Sequence, residues 1–136
     1  MYMENFLEIT ERIFEPIVAK YNLTIEQKDS NTILLKGQGY ALEITISREG
    51  VSVFYYTNNG NNETLQYDID SYISSHFTSE DRSGIGTPEI IRDIIIAQLK
   101  VVASGLSNHF KPLLAGDKEW LKDYSKSAYA QSPRIL

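Results

Sequence analysis

YALEITISREGVSVFYYTNNGNNETLQYDI, residues 40–69, decides the fold. Tyr40, Leu42, Ile44 and Ile46 alternate with Ala41, Glu43, Thr45 and Ser47, the two-residue period of a strand with one buried and one open face. Glu49-Gly50 predicts a tight turn into VSVFYYT (51–57). Asn58-Asn59-Gly60-Asn61-Asn62 reverses the chain, because Asn and Gly accept positive φ at little cost. ETLQYDI (63–69) then returns. Upstream, LTIEQK (23–28) and TILLKG (32–37) flank the turn signal Asp29-Ser30-Asn31. About five short strands with short turns and no helical crossover predict an antiparallel meander.

Helices flank the strands. Phe6, Ile9, Ile13 and Ile17 recur at helical spacing within residues 3–21, with Glu8 placed to pair with Arg12; Pro16 predicts a kink or restart. DSYISSHF (70–77) reads as a short helix, and TSEDRSGIG (78–86) as a mobile connector. Thr87 as cap, Pro88 at the first position and Glu89 in the first turn open a long helix, running to about Lys111. Its broad apolar stripe includes Ile94, Ile95, Leu99, Val102 and Leu106, and Gly105 is a weak point inside it. Gly116 breaks the chain, and Asp117 caps a last helix around 118–126 bearing Trp120, Leu121 and Tyr124. Residues 126–136 read as a loosely held tail. The expected fold is a single α+β domain over residues 1–136, with the helices on one face of the sheet.

The chain has 136 residues, 42% hydrophobic and 23% charged, enough to bury a core without staples. The absence of cysteine removes disulfides and thiolate metal sites. MYMENFLEIT carries acids where a secretory leader would carry bases, and no apolar run is long enough to span a bilayer. These features predict a cytoplasmic protein and make Asn22-Leu23-Thr24 and Asn62-Glu63-Thr64 chance matches to the glycosylation acceptor pattern. The net charge of −5 disfavours nucleic acid and suits a basic protein partner.

No motif names a reaction. His76 and His109 lie in different segments, and His109 in the last turn of its helix is suited to complement the dipole. Ser74, Ser75 and His76 are merely adjacent, which does not position a base on a nucleophile. The Asn58–Asn62 loop contains no carboxylate for a divalent metal. The glycine pairs at 37–39 and 84–86 lack a nucleotide-binding context, although the second precedes a helix N-terminus. The expectation is a protein that is not an enzyme and holds neither cofactor nor metal.

The tyrosines leave two readings open. On strand 51–57, Val51, Val53 and Tyr55 face one way and Phe54 and Tyr56 the other. One set is exposed unless the second sheet face is also covered. Either the tyrosines are cross-strand pairs that fill the hairpin, or they form a recognition surface. The candidate partner-binding residues are Tyr55, Tyr56, Tyr67, Asp68, Asp70 and Tyr72, aromatic and acidic groups gathered near one sheet edge.

In size, acidity, lack of cysteine, α+β order and the YYTNNGNNETLQYDID stretch (55–70), the chain resembles immunity proteins of bacterial toxin systems, including contact-dependent inhibition. That resemblance implies binding to a cognate toxin domain, often a nuclease, as monomer or homodimer, without nucleic acid or membrane. Two alternatives remain. One is a dimeric secretion chaperone with the long helix at its interface, although its strands would be expected to be interrupted by a helix. The other is a small hydrolase or ligand-binding domain with a pocket between sheet and long helix, lidded by Thr78–Gly86.

Overall fold

A computed structural model of the chain describes residues 6–83 and 90–136. The alternating residues 40–47 form β3 (Tyr40–Ser47), the centre of a meander made by β1 (Thr24–Asp29), β2 (Thr32–Gly37), β4 (Gly50–Asn58) and β5 (Thr64–Asp68). Each strand pairs antiparallel with its sequence neighbour. A sixth strand, β6 (Arg134–Ile135), closes the order β1-β2-β3-β4-β5-β6. The tail expected to be loose is therefore tied down. Leu65 and Gln66 pair with Ile135 and Arg134, and the Leu136 amide donates to Thr64 O at 2.9 Å.

The helices are α1 (Phe6–Tyr21), α2 (Asp70–Ser74), α3 (Ile91–His109), α4 (Lys111–Leu114) and α5 (Trp120–Lys126). The architecture is α+β. α1 continues through Pro16 without a restart. Its buried line is Phe6, Thr10, Phe14 and Ile17, with Ile9 and Ile13 only half-buried beside it. Thr10 fits that line because its hydroxyl donates to Phe6 O at 2.5 Å and leaves its methyl for the core. Residues 3–5, the Thr87-Pro88-Glu89 helix opening and the Gly84-Ile85-Gly86 segment lie outside the described residues. Asp117 is not the cap of α5, whose N-cap is Glu119 without a side-chain bond; its carboxylate accepts the Glu119 amide at 2.9 Å in the turn before the helix.

α1 and α3 cover one sheet face. Ile33, Leu35, Leu42, Ile44, Ile46, Val53 and Tyr55 meet Phe14, Ile17, Ile95, Leu99 and Leu106 in one buried cluster. Each such side chain contributes about 2 kcal/mol by leaving water. At the β3–β4 turn Gly50 has φ +123°, and a Cβ there would strike the Gln98 side chain. Gln98 in turn accepts the Val51 amide at 3.0 Å, which pins α3 to the hairpin.

Gly105 lies inside α3 because Phe77 packs against its bare Cα; a Cβ would sit 2.0 Å from the Phe77 ring. Helix propensity alone would make Gly105→Ala stabilising by about 1 kcal/mol, whereas overpacking costs about 1–3 kcal/mol. The clash is expected to win, so Gly105→Ala should lower the denaturation midpoint, and Gly105→Ala combined with Phe77→Ala should show a smaller penalty. A raised midpoint for the single variant would contradict this packing.

Candidate functional site

The six nominated residues do not form one patch. Tyr55 is fully buried and Tyr72 is 3% exposed. Tyr55 and Tyr67 are cross-strand neighbours on the helix-covered face, where Tyr55 stacks on Tyr40 (5.8 Å) and meets the edge of Trp120 (4.8 Å). Tyr67 and Tyr72 both contact Tyr124 edge-on, at 5.8 and 5.2 Å. This aromatic cluster docks α2 and α5 on the end of the sheet. Tyr72 donates to Asp123 at 2.5 Å, and Tyr124 donates to Asp68 O at 3.2 Å. Tyr55, Tyr72 and the half-buried Tyr67 thus serve packing. Burial pushes the Tyr55 hydroxyl up to about 12, with Trp120 and Thr57 pulling weakly the other way. Neither Tyr55 Oη nor Trp120 Nε1 meets hydrogen-bond geometry with any group among the described residues, and both are buried.

Asp70 turns into a cleft between α2, α3 and the start of β4. Tyr56 and Asp68 alone of the six lie on the sheet face opposite the helices. The register places their neighbours. One row across that face runs Thr24, Lys36, Ala41, Tyr56, Gln66, Arg134. The next runs Glu26, Leu34, Glu43, Phe54, Asp68. A third holds Thr32, Thr45 and Ser52.

Glu43 sits at the middle of this face yet is only 7% exposed. Its cross-strand neighbours Leu34 and Phe54 flank it. Its carboxylate accepts from Lys28 Nζ at 2.9 Å, from the Tyr56 hydroxyl at 2.6 Å and from the Thr45 hydroxyl at 3.1 Å. Gln66 extends the chain by donating to the Tyr56 hydroxyl at 2.7 Å. One polar line thus crosses from β1 to β5. Burial favours the neutral acid, but the donors Tyr56, Lys28 and Thr45 outweigh it and hold the Glu43 carboxyl below its usual range. The same contact raises Lys28, while burial and then Glu43 raise Tyr56. A carboxylate so fully engaged is a fixed feature of the surface and a poor general base.

The face is balanced in formal charge: Lys28, Lys36 and Arg134 against Glu26, Glu43 and Asp68. The expected acidic patch is therefore absent from it. Exposed acids gather instead on α1 at Glu8, Glu11 and Glu15. Glu43, Lys28 and Leu34 were not singled out by the sequence pattern. The only signal for Glu43 was its place on the polar side of an otherwise apolar strand.

The two histidines are also placed. His76 packs by edge on Tyr72 (4.8 Å) and Phe110 (5.3 Å). His109 Nε2 lies 2.7 Å from the buried carboxylate of Asp81, which also takes the Thr78 amide (2.8 Å), Asn108 (2.8 Å) and Ser104 (3.0 Å). Residues 78–83 of the expected mobile connector are thereby fastened to α3. Burial opposes the charge on Asp81, but these donors hold its carboxyl far below the carboxylate range. Among the described residues no three His, Asp or Glu side chains gather as a metal site, and no helix is long and apolar enough to cross a membrane. No protein-family model, curated protein or solved structure matches this chain.

Proposed function

We propose that this chain is a binding protein of the immunity type, which neutralises a cognate toxin domain through the helix-free face of its sheet and makes or breaks no bond. One observation carries the reading. An antiparallel sheet closed by helices on one side presents Phe54, Tyr56 and Leu34 around a dehydrated, hydrogen-bonded Glu43 on the other. Aromatic groups on a rigid strand lose little entropy on contact, and a pre-ordered polar network adds direction without reorganising. The net charge of −5 steers a basic partner from a distance, while the charge-balanced face supplies the close contacts. The chaperone alternative is less favoured, because Ile95, Leu99, Val102 and Leu106 of the α3 stripe are buried against this chain's own sheet, leaving Ile90 and Ile91 at its start exposed.

The test reads the adjacent frame for an exported protein with a basic C-terminal domain, then titrates that domain calorimetrically and scores growth rescue on co-expression; an adjacent frame encoding no such domain counts against the reading. The Phe54→Ala/Tyr56→Ala double variant is expected to remain folded and to weaken binding at least about tenfold, the scale of interface anchors. Unchanged affinity and rescue in that folded variant would reject the face as the binding surface.

A further inference from the structure

The cleft that receives Asp70 lies on the opposite side of the sheet from Phe54 and Tyr56, and what it binds is independent of the sheet-face reading. Its volume is about 470 Å³, enough for a ligand of amino-acid size. The walls are mostly apolar, with Val51 from β4, Phe77 after α2, and Ala97, Val101 and Val102 along α3, and Ser74 and Gln98 adding polar groups. Two carboxylates, Glu49 and Asp70, also line it. Among the described residues neither has a cationic partner within 4 Å. Arg82 also lines the cleft, but its guanidinium donates to Thr78 O at 3.2 Å and lies over the Phe77 ring. The lining therefore carries two acids against one base, whose guanidinium is held against the Phe77 wall and paired with neither acid.

A half-buried carboxylate without a counter-ion is an unfavourable arrangement beside apolar walls. Burial first and Asp68 second push the Asp70 carboxyl above its usual range, with the Val53 backbone pulling the other way. An incoming cation would relieve that cost, and the apolar walls would cover its stem.

We propose that the cleft between α2, α3 and β4 binds a cation carried on an aliphatic stem, with Asp70 and Glu49 taking the charge and Val101 and Val102 the stem. The same chemistry is offered by a free alkylamine and by a lysine side chain of a polypeptide. Titrations of the full chain followed by NMR, using n-pentylammonium, N-acetyl-lysine-methylamide and neutral n-pentanol, distinguish these. Saturable shifts at Val51, Phe77 and Val101 with both cations assign a site open to a peptide lysine; shifts with n-pentylammonium alone assign a free amine. Pentanol is expected to bind about tenfold more weakly, the scale of one charge-assisted hydrogen bond. Asp70→Asn should weaken n-pentylammonium, Asp70→Asn with Glu49→Gln should bring it to the level of pentanol, and Val101→Trp should abolish both by filling the cleft. No saturable shift with either cation, or equal binding of pentanol and n-pentylammonium, would overturn the proposal.

Discussion

Replacing Asp81 with alanine is expected to cost about 3 kcal/mol of stability, the scale for removing one partner from a buried, charged hydrogen-bond network. The loss does not come from one contact. The carboxylate collects the Thr78 amide and hydroxyl, Ser104, Asn108 and His109, so its removal leaves several donors without an acceptor. It also unfastens residues 78–83 from α3. At about 2–4 °C per kcal/mol for a domain of this size, the melting temperature should fall by roughly 10 °C. Asp81→Asn keeps the shape and some of the acceptor capacity, and should fall between. The pH dependence has a definite sign. The folded carboxyl lies below its unfolded value, so its contribution is complete above about pH 5 and is lost as pH falls toward the folded value. Wild type should therefore lose stability on acidification from about pH 5 more steeply than Asp81→Asn. Thermal melts from neutral to acid pH check both statements. A loss under about 1 kcal/mol at neutral pH, or parallel pH profiles, would show the network to be ornamental.

Truncating Tyr55 to alanine is expected to cost about 4 kcal/mol, as for large aromatic side chains in a core. Tyr55 is fully buried and packs against Tyr40, Tyr67 and Trp120. Tyr55→Phe should behave in the opposite way. Its hydroxyl has no hydrogen-bond partner, so deleting the oxygen removes a desolvated polar atom and should be neutral or stabilising by up to about 1 kcal/mol. Tyr56, the next residue, points to the other face, so Tyr56→Ala should cost far less than Tyr55→Ala. Chemical denaturation of the three variants decides. Equal costs for Tyr55→Ala and Tyr56→Ala would contradict the assigned faces, and a clear loss for Tyr55→Phe would mean that the hydroxyl is paired.

The legible part of this molecule was local. Alternation over 40–47, the Asn, Asp and Gly turn signals and the apolar stripes each report on neighbours in sequence, and they predicted the meander, the helices and the helix-covered face. The Asn58–Asn62 loop reverses the chain as expected, with Gly60 at φ +88° and Asn62 at φ +62°, and in addition Asn58 and Asn59 accept the Gly60 and Asn61 amides and Asn59 ties to Glu63. What failed to show was long-range. Which of Tyr55 and Tyr56 faced the helices was set by the side on which α1 and α3 packed. Asp68 and Asp70 are two apart, yet one lies on the open face and the other in the cleft, because β5 ends between them and α2 begins. Asp81 sat in a polar stretch that looked mobile, and its partners lie 23 to 28 residues away on one face of α3. Residues 134–135 carried too short a pattern to announce a strand, and only the free edge of β5 gave them a place.

The most direct measurement of the central claim is hydroxyl-radical footprinting of the complex with the adjacent-frame domain, read residue by residue by mass spectrometry. Protection of Leu34, Phe54 and Tyr56 on binding, with the exposed Ile90, Ile91 and Tyr129 unchanged, is the predicted result. Protection confined to the helical side, with Phe54 and Tyr56 labelled as in the free protein, would contradict it.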